Sequence, residues 1–366
     1  MRKQTVWMMT VAAATAALAV ACGGGAEKPA AGTGTAAAGT AKASATTAAK
    51  VDPNTLAAKK ASPGSLAVDD PAWNGAPVMK AQMELIKGTS PKEAGTVNAQ
   101  ALYSDTDVWF RFQWADKTQD IKSVYKWDGT KWTALPVKPA AADRFAVIWP
   151  IGTVAGFEAK GCYAACHREG GAASKDAAID KGMYMLAPGE KDLLDMWQWT
   201  GSASFALGQL NDGRLQGTLV DPKVTSEGGI VKDKATGGGT VSNAAPAPAV
   251  GPVKMQDPAK KPSLGPEFLK ADEAVALDMT KVKVGDEIPR SMIGTPIVGS
   301  NGDVESKSTW ANGQYTIVLH RKLNTTNDDD IKFEAGKSYL FEIAVWDGVD
   351  QEHHTPAKDV YTLTLK

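Results

Sequence analysis

From residue 97 onward, apolar and polar side chains alternate in short runs bounded by turn residues. Val97-Asn98-Ala99-Gln100-Ala101-Leu102-Tyr103 leads into Asp105-Thr106-Asp107, and Val108-Trp109-Phe110-Arg111-Phe112-Gln113-Trp114 follows. Two such runs around a short polar turn predict a β-hairpin. Ser123–Trp127 and Lys131–Leu135, joined across Asp128-Gly129, predict a second. Arg144-Phe145-Ala146-Val147-Ile148-Trp149 is almost continuously apolar, as a strand covered on both faces must be. Strand patterns return at Tyr315–His320, Tyr339–Trp346 and Val360–Leu365. Long helical periodicity is nearly absent, and Pro77–Leu85 and Pro266–Ala276 are the two stretches read as short helices. Many short strands separated by turns predict a mainly β protein, a β-sandwich of the immunoglobulin-like or carbohydrate-binding-like kind.

Two segments stand apart from this pattern. Residues 23–65 are Ala, Gly, Thr, Ser and Lys with few large apolar side chains, and are read as a flexible tether because they cannot bury enough surface to offset chain entropy. Residues 222–265 are rich in Gly, Ala, Pro and Lys and are read as a disordered or extended surface insertion. Globular sequence starts near Val68.

The N-terminus adds an address. Arg2 and Lys3 precede the apolar run Val6–Val20, and small residues lead to Cys22. The run is short for a membrane span and reads as a secretory signal over residues 1–21. Leu18-Ala19-Val20-Ala21-Cys22 resembles a bacterial lipoprotein cleavage box, which implies lipid on Cys22 and a domain tethered through residues 22–65. Gly23 after that cysteine implies, by the same resemblance, the outer membrane, facing the periplasm or the exterior.

Composition narrows the chemistry. The 366 residues carry a formal net charge of −1, so no broad field draws nucleic acid or an anionic membrane. Three cysteines in a chain of this length exclude a disulfide scaffold. No phosphate-binding loop, paired-carboxylate signature or nucleophile elbow is present.

The motif that carries chemistry is Gly161-Cys162-Tyr163-Ala164-Ala165-Cys166-His167. Covalent haem attachment ordinarily uses C-x-x-C-H. Here the spacing is one residue longer, and small Ala164 and Ala165 can absorb it as a wider loop. Two thiols would bind the porphyrin, and the imidazole of His167 would bind iron. A Cys162–Cys166 disulfide and a zinc site are the competing readings; the adjacent His favours one covalent haem c, and zinc lacks a second cysteine pair. Candidates for the sixth ligand are Met183 and Met185, and His353 and His354. His320, inside an alternating strand, reads as structural. Trp149, Trp197, Trp199 and Trp346 could wall a haem pocket, although aromatic core packing accounts for them as well.

Several segments together resemble one family. They are Asp70-Pro71-Ala72-Trp73, Leu102-Tyr103-Ser104-Asp105 with Trp114, Asp143-Arg144-Phe145-Ala146, Leu194-Asp195-Met196-Trp197-Gln198-Trp199, Arg321-Lys322-Leu323-Asn324 and Ala344-Val345-Trp346-Asp347-Gly348. In this order they look like the haem-binding domain of ethylbenzene dehydrogenase gamma subunits and related cytochromes of dimethyl sulfoxide reductase-type enzymes. The resemblance covers residues 66–366 outside the insertion. It implies a β-sandwich with one haem near its edge. Gamma subunits hold a b-type haem through Met and Lys; Met185 or Met183 matches that Met by position, and Lys358 sits near that Lys. The Cys-His loop departs from this pattern and points to a c-type branch with His167 as one ligand. The order for the sixth ligand is then Met185, His354 or His353, Met183, Lys358. The resemblance also implies redox partner proteins, among them molybdenum catalytic and iron–sulfur subunits as the alternative to a carrier acting alone. A haem-free ligand-binding lipoprotein and a haem enzyme or sensor with an open iron position are the remaining alternatives.

Overall fold

The computed structural model describes residues 52–85, 95–137, 141–165, 185–217, 230–349, 354–356 and 360–366. All belong to the unit that spans residues 50–366. The strands that build its core are β1 (Thr55–Lys60), β2 (Met79–Gln82), β3 (Glu84–Leu85), β4 (Thr96–Tyr103), β5 (Asp107–Ala115), β6 (Val124–Trp127), β7 (Trp132–Leu135), β8 (Arg144–Ile151), β9 (Leu193–Thr200), β10 (Asn211–Gln216) and β11 (Val231–Lys232). There follow β12 (Thr240–Ser242), β13 (Lys254–Gln256), β14 (Ala274–Ala276), β15 (Glu287–Pro289), β16 (Ser291–Ile293), β17 (Glu305–Ala311), β18 (Gln314–Lys322), β19 (Ser338–Trp346), β20 (His354–Thr355) and β21 (Tyr361–Leu365).

Hydrogen bonding links the main strands in the order β11-β10-β9-β8-β19-β21-β1-β4-β5-β18-β17. This ribbon folds over itself into two facing layers, because inward side chains of β4, β5 and β18 share one core with those of β8, β9 and β19. The corner is β1. Thr55–Ala58 run parallel to β21, and Lys59 and Lys60 run parallel to β4. A strand that changes partner sheet midway is a usual way to turn such a corner. The mainly β sandwich is therefore as expected.

Period-two alternation selects the faces. On β5, Val108, Phe110, Phe112 and Trp114 enter the core while Arg111 and Gln113 face out. On β8 and β9 the inward set is Phe145, Val147, Trp149, Trp197 and Trp199. Their rings interlock: Trp149 lies 5.3 Å from Trp197 and 4.9 Å from Phe341, and Trp114 stacks 5.1 Å from Tyr315. Each such aromatic contributes roughly 1.5–3 kcal/mol through burial. The hairpin expected at 97–114 forms as β4 and β5, with Ser104 Oγ accepting the N–H groups of Thr106 and Asp107 in its turn. The second, Val124–Leu135, forms as β6 and β7. β8 is central, between β9 and β19.

Three expectations need correction, and a fourth resolves to one of its two readings. The tether does not run through residue 65: Thr55–Lys60 is a paired strand, with Leu56 fully buried in the core. Its single large apolar residue suffices because sheet hydrogen bonds on both sides hold the backbone. Pro77–Leu85 is not a helix but β2 and β3; Met79 and Ala81 are buried and Lys80 and Gln82 exposed, a period of two. Pro266–Ala276 holds a single 3-10 turn, Ala271–Glu273, before β14. Within the insertion, residues 230–265 are ordered and extended, with β12 paired to β16 and β13 to β14. Asn243 secures this part: its side-chain amide donates to Pro289 O and Lys254 O and accepts from Lys254 N.

Candidate functional site

The outer face of the β8-β9-β10-β19 layer carries a second apolar cluster, separate from the core between the layers. Ile148, Leu194, Met196 and Leu215 supply its floor. Their inward neighbours Val147, Trp149, Asp195 and Trp197 belong to the other face, so strand alternation alone creates the second surface. The segment after β8 folds onto it. A helical turn, Phe157–Lys160, and a 3-10 turn, Gly161–Ala164, place Phe157, Cys162 and Ala165 in the cluster.

Two contacts fix Cys162. Its N–H donates to Glu342 Oε2 at 2.6 Å, a bond from the loop to β19. Its Sγ lies 3.8 Å from Thr355 Oγ1, which donates to Ile343 O at 2.8 Å. Gly161 has φ +54°, and a Cβ there would overlap the Glu342 carboxylate. Glycine is therefore needed for both backbone conformation and space. Glu342 is 1% exposed.

Met185 packs against the same cluster, half-buried. Leu186 N–H donates to Ala165 O, and Ala187 N–H to Gln216 O. The residues on either side of segment 166–184 are thereby held together, with Cys162 at one end and Met185 at the other. His354 stands elsewhere. It is buried and pairs with Val345, whose side chain enters the inter-layer core, and its neighbour Thr355 is the one that reaches Cys162. Adjacent residues of a strand face opposite ways, so His354 lies on the core side of β20. Cys22, Cys166, His167, Met183, His353 and Lys358 lie outside the described residues.

The tryptophans considered as pocket walls separate clearly. Trp149, Trp197 and Trp199 are fully buried between the layers. Trp346 lies beneath the Arg144 guanidinium, 5.0 Å from it. His320 bonds Glu305 and Asp107 at 2.8 and 2.9 Å and stacks on Trp109, a structural role. Lys322, Thr106 and His320 hold Asp107 down at about 2 against the upward push of its burial. Sequence reasoning passed over Glu342 and Thr355. An acidic residue inside the apolar run of β19 was the available signal for Glu342; nothing local marked Thr355.

The family described as Ethylbenzene dehydrogenase matches residues 70–356. No curated protein matches. Among solved structures, a carbohydrate binding module family 9 from Caldicellulosiruptor kristjanssonii in complex with glucose is 8% identical, covering 85% of this chain and 95% of that one, with a TM-score of 0.32. A putative carbohydrate-binding protein from Bacteroides uniformis is 9% identical, covering 86% of this chain and 99% of that one, with a TM-score of 0.33.

Proposed function

The chain belongs to the ethylbenzene dehydrogenase family, and from that premise we propose that it is an exported monohaem c-type cytochrome lipoprotein that carries electrons to redox partner proteins. Cys162 and Cys166 would hold the porphyrin, His167 one axial position and Met185 the other. The observation that carries this reading is the apolar surface shared by Cys162 and Met185. A thiol and a thioether on one dry face, beside the Cys166-His167 pair in sequence, form a donor set that suits haem. When bound, the haem supplies one-electron exchange. The chain's own part is to exclude water through Ile148, Leu194 and Met196 and to fix the first thiol through Glu342.

Cys22 would carry the lipid and place the domain at the outer membrane or in the periplasm. Its family also favours a second arrangement, in which the chain is the gamma-type subunit beside molybdenum and iron–sulfur subunits; co-purification of such subunits from the native source distinguishes the two.

The test is a pyridine haemochrome spectrum of the chain made in a host with cytochrome c maturation machinery, together with the intact mass. A thioether-type spectrum and one haem of added mass are expected, both lost in Cys162→Ala/Cys166→Ala. A colourless protein without added mass overturns the reading.

A further inference from the structure

The inter-layer core of this sandwich is aromatic along most of its length, yet one end is charged. On β9 and β10, Asp195 and Asp212 are both fully buried, and Asp330 is 1% exposed. One carboxylate oxygen from each lies within 4.8 Å of the others. Asp303 borders them, and burial, with like charge from Asp330, pushes it up to about 7. The cation paired with this group is Arg321, which reaches Asp195 Oδ2 at 3.0 Å and lies over the Trp197 ring. Four carboxylates therefore face one guanidinium.

Their hydrogen bonding is divided in an informative way. Asp195 Oδ2 accepts from Arg321 and Ile331 N–H, Asp330 Oδ2 from Thr325 and Asn327, and Asp303 Oδ2 from Asn327. Their other oxygens, the Oδ1 atoms of Asp195, Asp303 and Asp330, are buried with no donor. No N–H or hydroxyl reaches either oxygen of Asp212, whose hydrogen-bond neighbours are the carboxyls of Asp195 and Asp303. Outer hydrogen bonds thus orient the carboxylates, and one oxygen each of Asp195, Asp212 and Asp330 converge, with Asp303 beside them. Leaving buried carboxylates uncompensated costs several kcal/mol each. Oxygen donors alone, with no nitrogen or sulfur among them, suit a hard cation.

The other two acidic groups also keep one buried oxygen without a donor, Asp116 Oδ2 and Asp233 Oδ2, but their remaining carboxylates are better supplied. At the opposite end, Asp143 accepts from Tyr315 OH, Asp120 N–H and Gly348 N–H, which occupy both its oxygens. Asp233 and Asp329 share the Arg214 guanidinium at 2.7 and 2.8 Å. A way in from solvent exists at the first group: Asp330 lines a cleft of about 420 Å³ with Pro150, Asp328, Ile331 and Leu340.

We propose that Asp195, Asp212, Asp303 and Asp330 form a structural site for one calcium-class divalent cation that ties β9 and β10 to the 324–331 loop. The competing account is that protons neutralise the group, since burial raises the Asp212 carboxyl well above its ordinary range. The two differ in sign. With protons alone, calcium changes nothing; with a cation site, calcium replaces protons and stabilises at neutral pH.

The test uses the full chain at pH 7.5, stripped with chelator and then titrated with calcium, with Tm and bound calcium per chain both measured. We expect one calcium per chain and a rise in Tm of 5 °C or more. Asp212→Asn, which keeps the shape and removes a charge, should match or exceed the wild-type Tm in chelator and lose at least ten-fold in calcium affinity. Asp303→Asn serves the same purpose if Asp212→Asn is not recovered folded. Absence of bound calcium with an unchanged Tm overturns the site, and so does calcium binding that the recovered variant leaves unaltered.

Discussion

At the scale of single residues, Gly161 and Glu342 form one device. The glycine's left-handed backbone leaves room for a buried carboxylate, and that carboxylate fixes the N–H of Cys162. Gly161→Ala must either displace Glu342 or shift the loop. The expected loss is about 2 kcal/mol or more in urea denaturation; a change below about 0.5 kcal/mol would show that the contact is dispensable. Met185 tests the proposed ligand set separately. With haem bound, Met185→His should lower the midpoint potential, because imidazole favours ferric iron more than a thioether does. A potential unchanged in redox titration would assign the sixth position to another residue. The Cys-His motif itself was legible in sequence, because its spacing is local. The partners of Cys162 were not, since Glu342 and Thr355 are 180 and 193 residues away.

At the scale of elements, β1 shows where composition misleads. Thr55–Lys60 reads as tether, yet it is the corner strand, parallel to both β21 and β4. A chain starting at residue 51 should therefore fold with an unchanged Tm. One starting at residue 66 should lose several kcal/mol, because it bares the edges of β4 and β21 and removes Leu56 from the core. Circular dichroism melts of the two truncations decide this, and equal melts would return the segment to the tether. The strand pairs at 97–114 and 124–135 were readable because short-range alternation and turn residues specify them. β2 was misread because four residues are too few for periodicity to separate helix from strand.

At the scale of the whole molecule, buried acids set how stability follows pH. Burial, with like charge from Asp143 and Asp347, pushes Asp116 up to about 8; burial pushes Asp143 up to about 7, against the pull of its bonds from Tyr315, Asp120 and Gly348. The unfolded chain releases these protons near pH 4. Between those limits the folded state holds more protons, so stability falls as pH rises from about 4 to about 8. In chelator, Tm should be lower at pH 8.5 than at pH 5, and Asp116→Asn should raise it at pH 8.5 by several degrees with little effect at pH 5. A flat profile in the wild type would mean these carboxyls ionise normally. The sequence by itself determined the strand alternation, the mainly β architecture and the Cys-His motif, all of which depend on near neighbours along the chain. Tertiary structure alone decided which face of β9 meets Cys162 and which gathers Asp195, Asp212 and Asp330. The physical reason is that a strand offers two faces and its partners choose between them, and the partners that hold Asp195, namely Arg321 and Ile331, are separated from it by more than a hundred residues of chain.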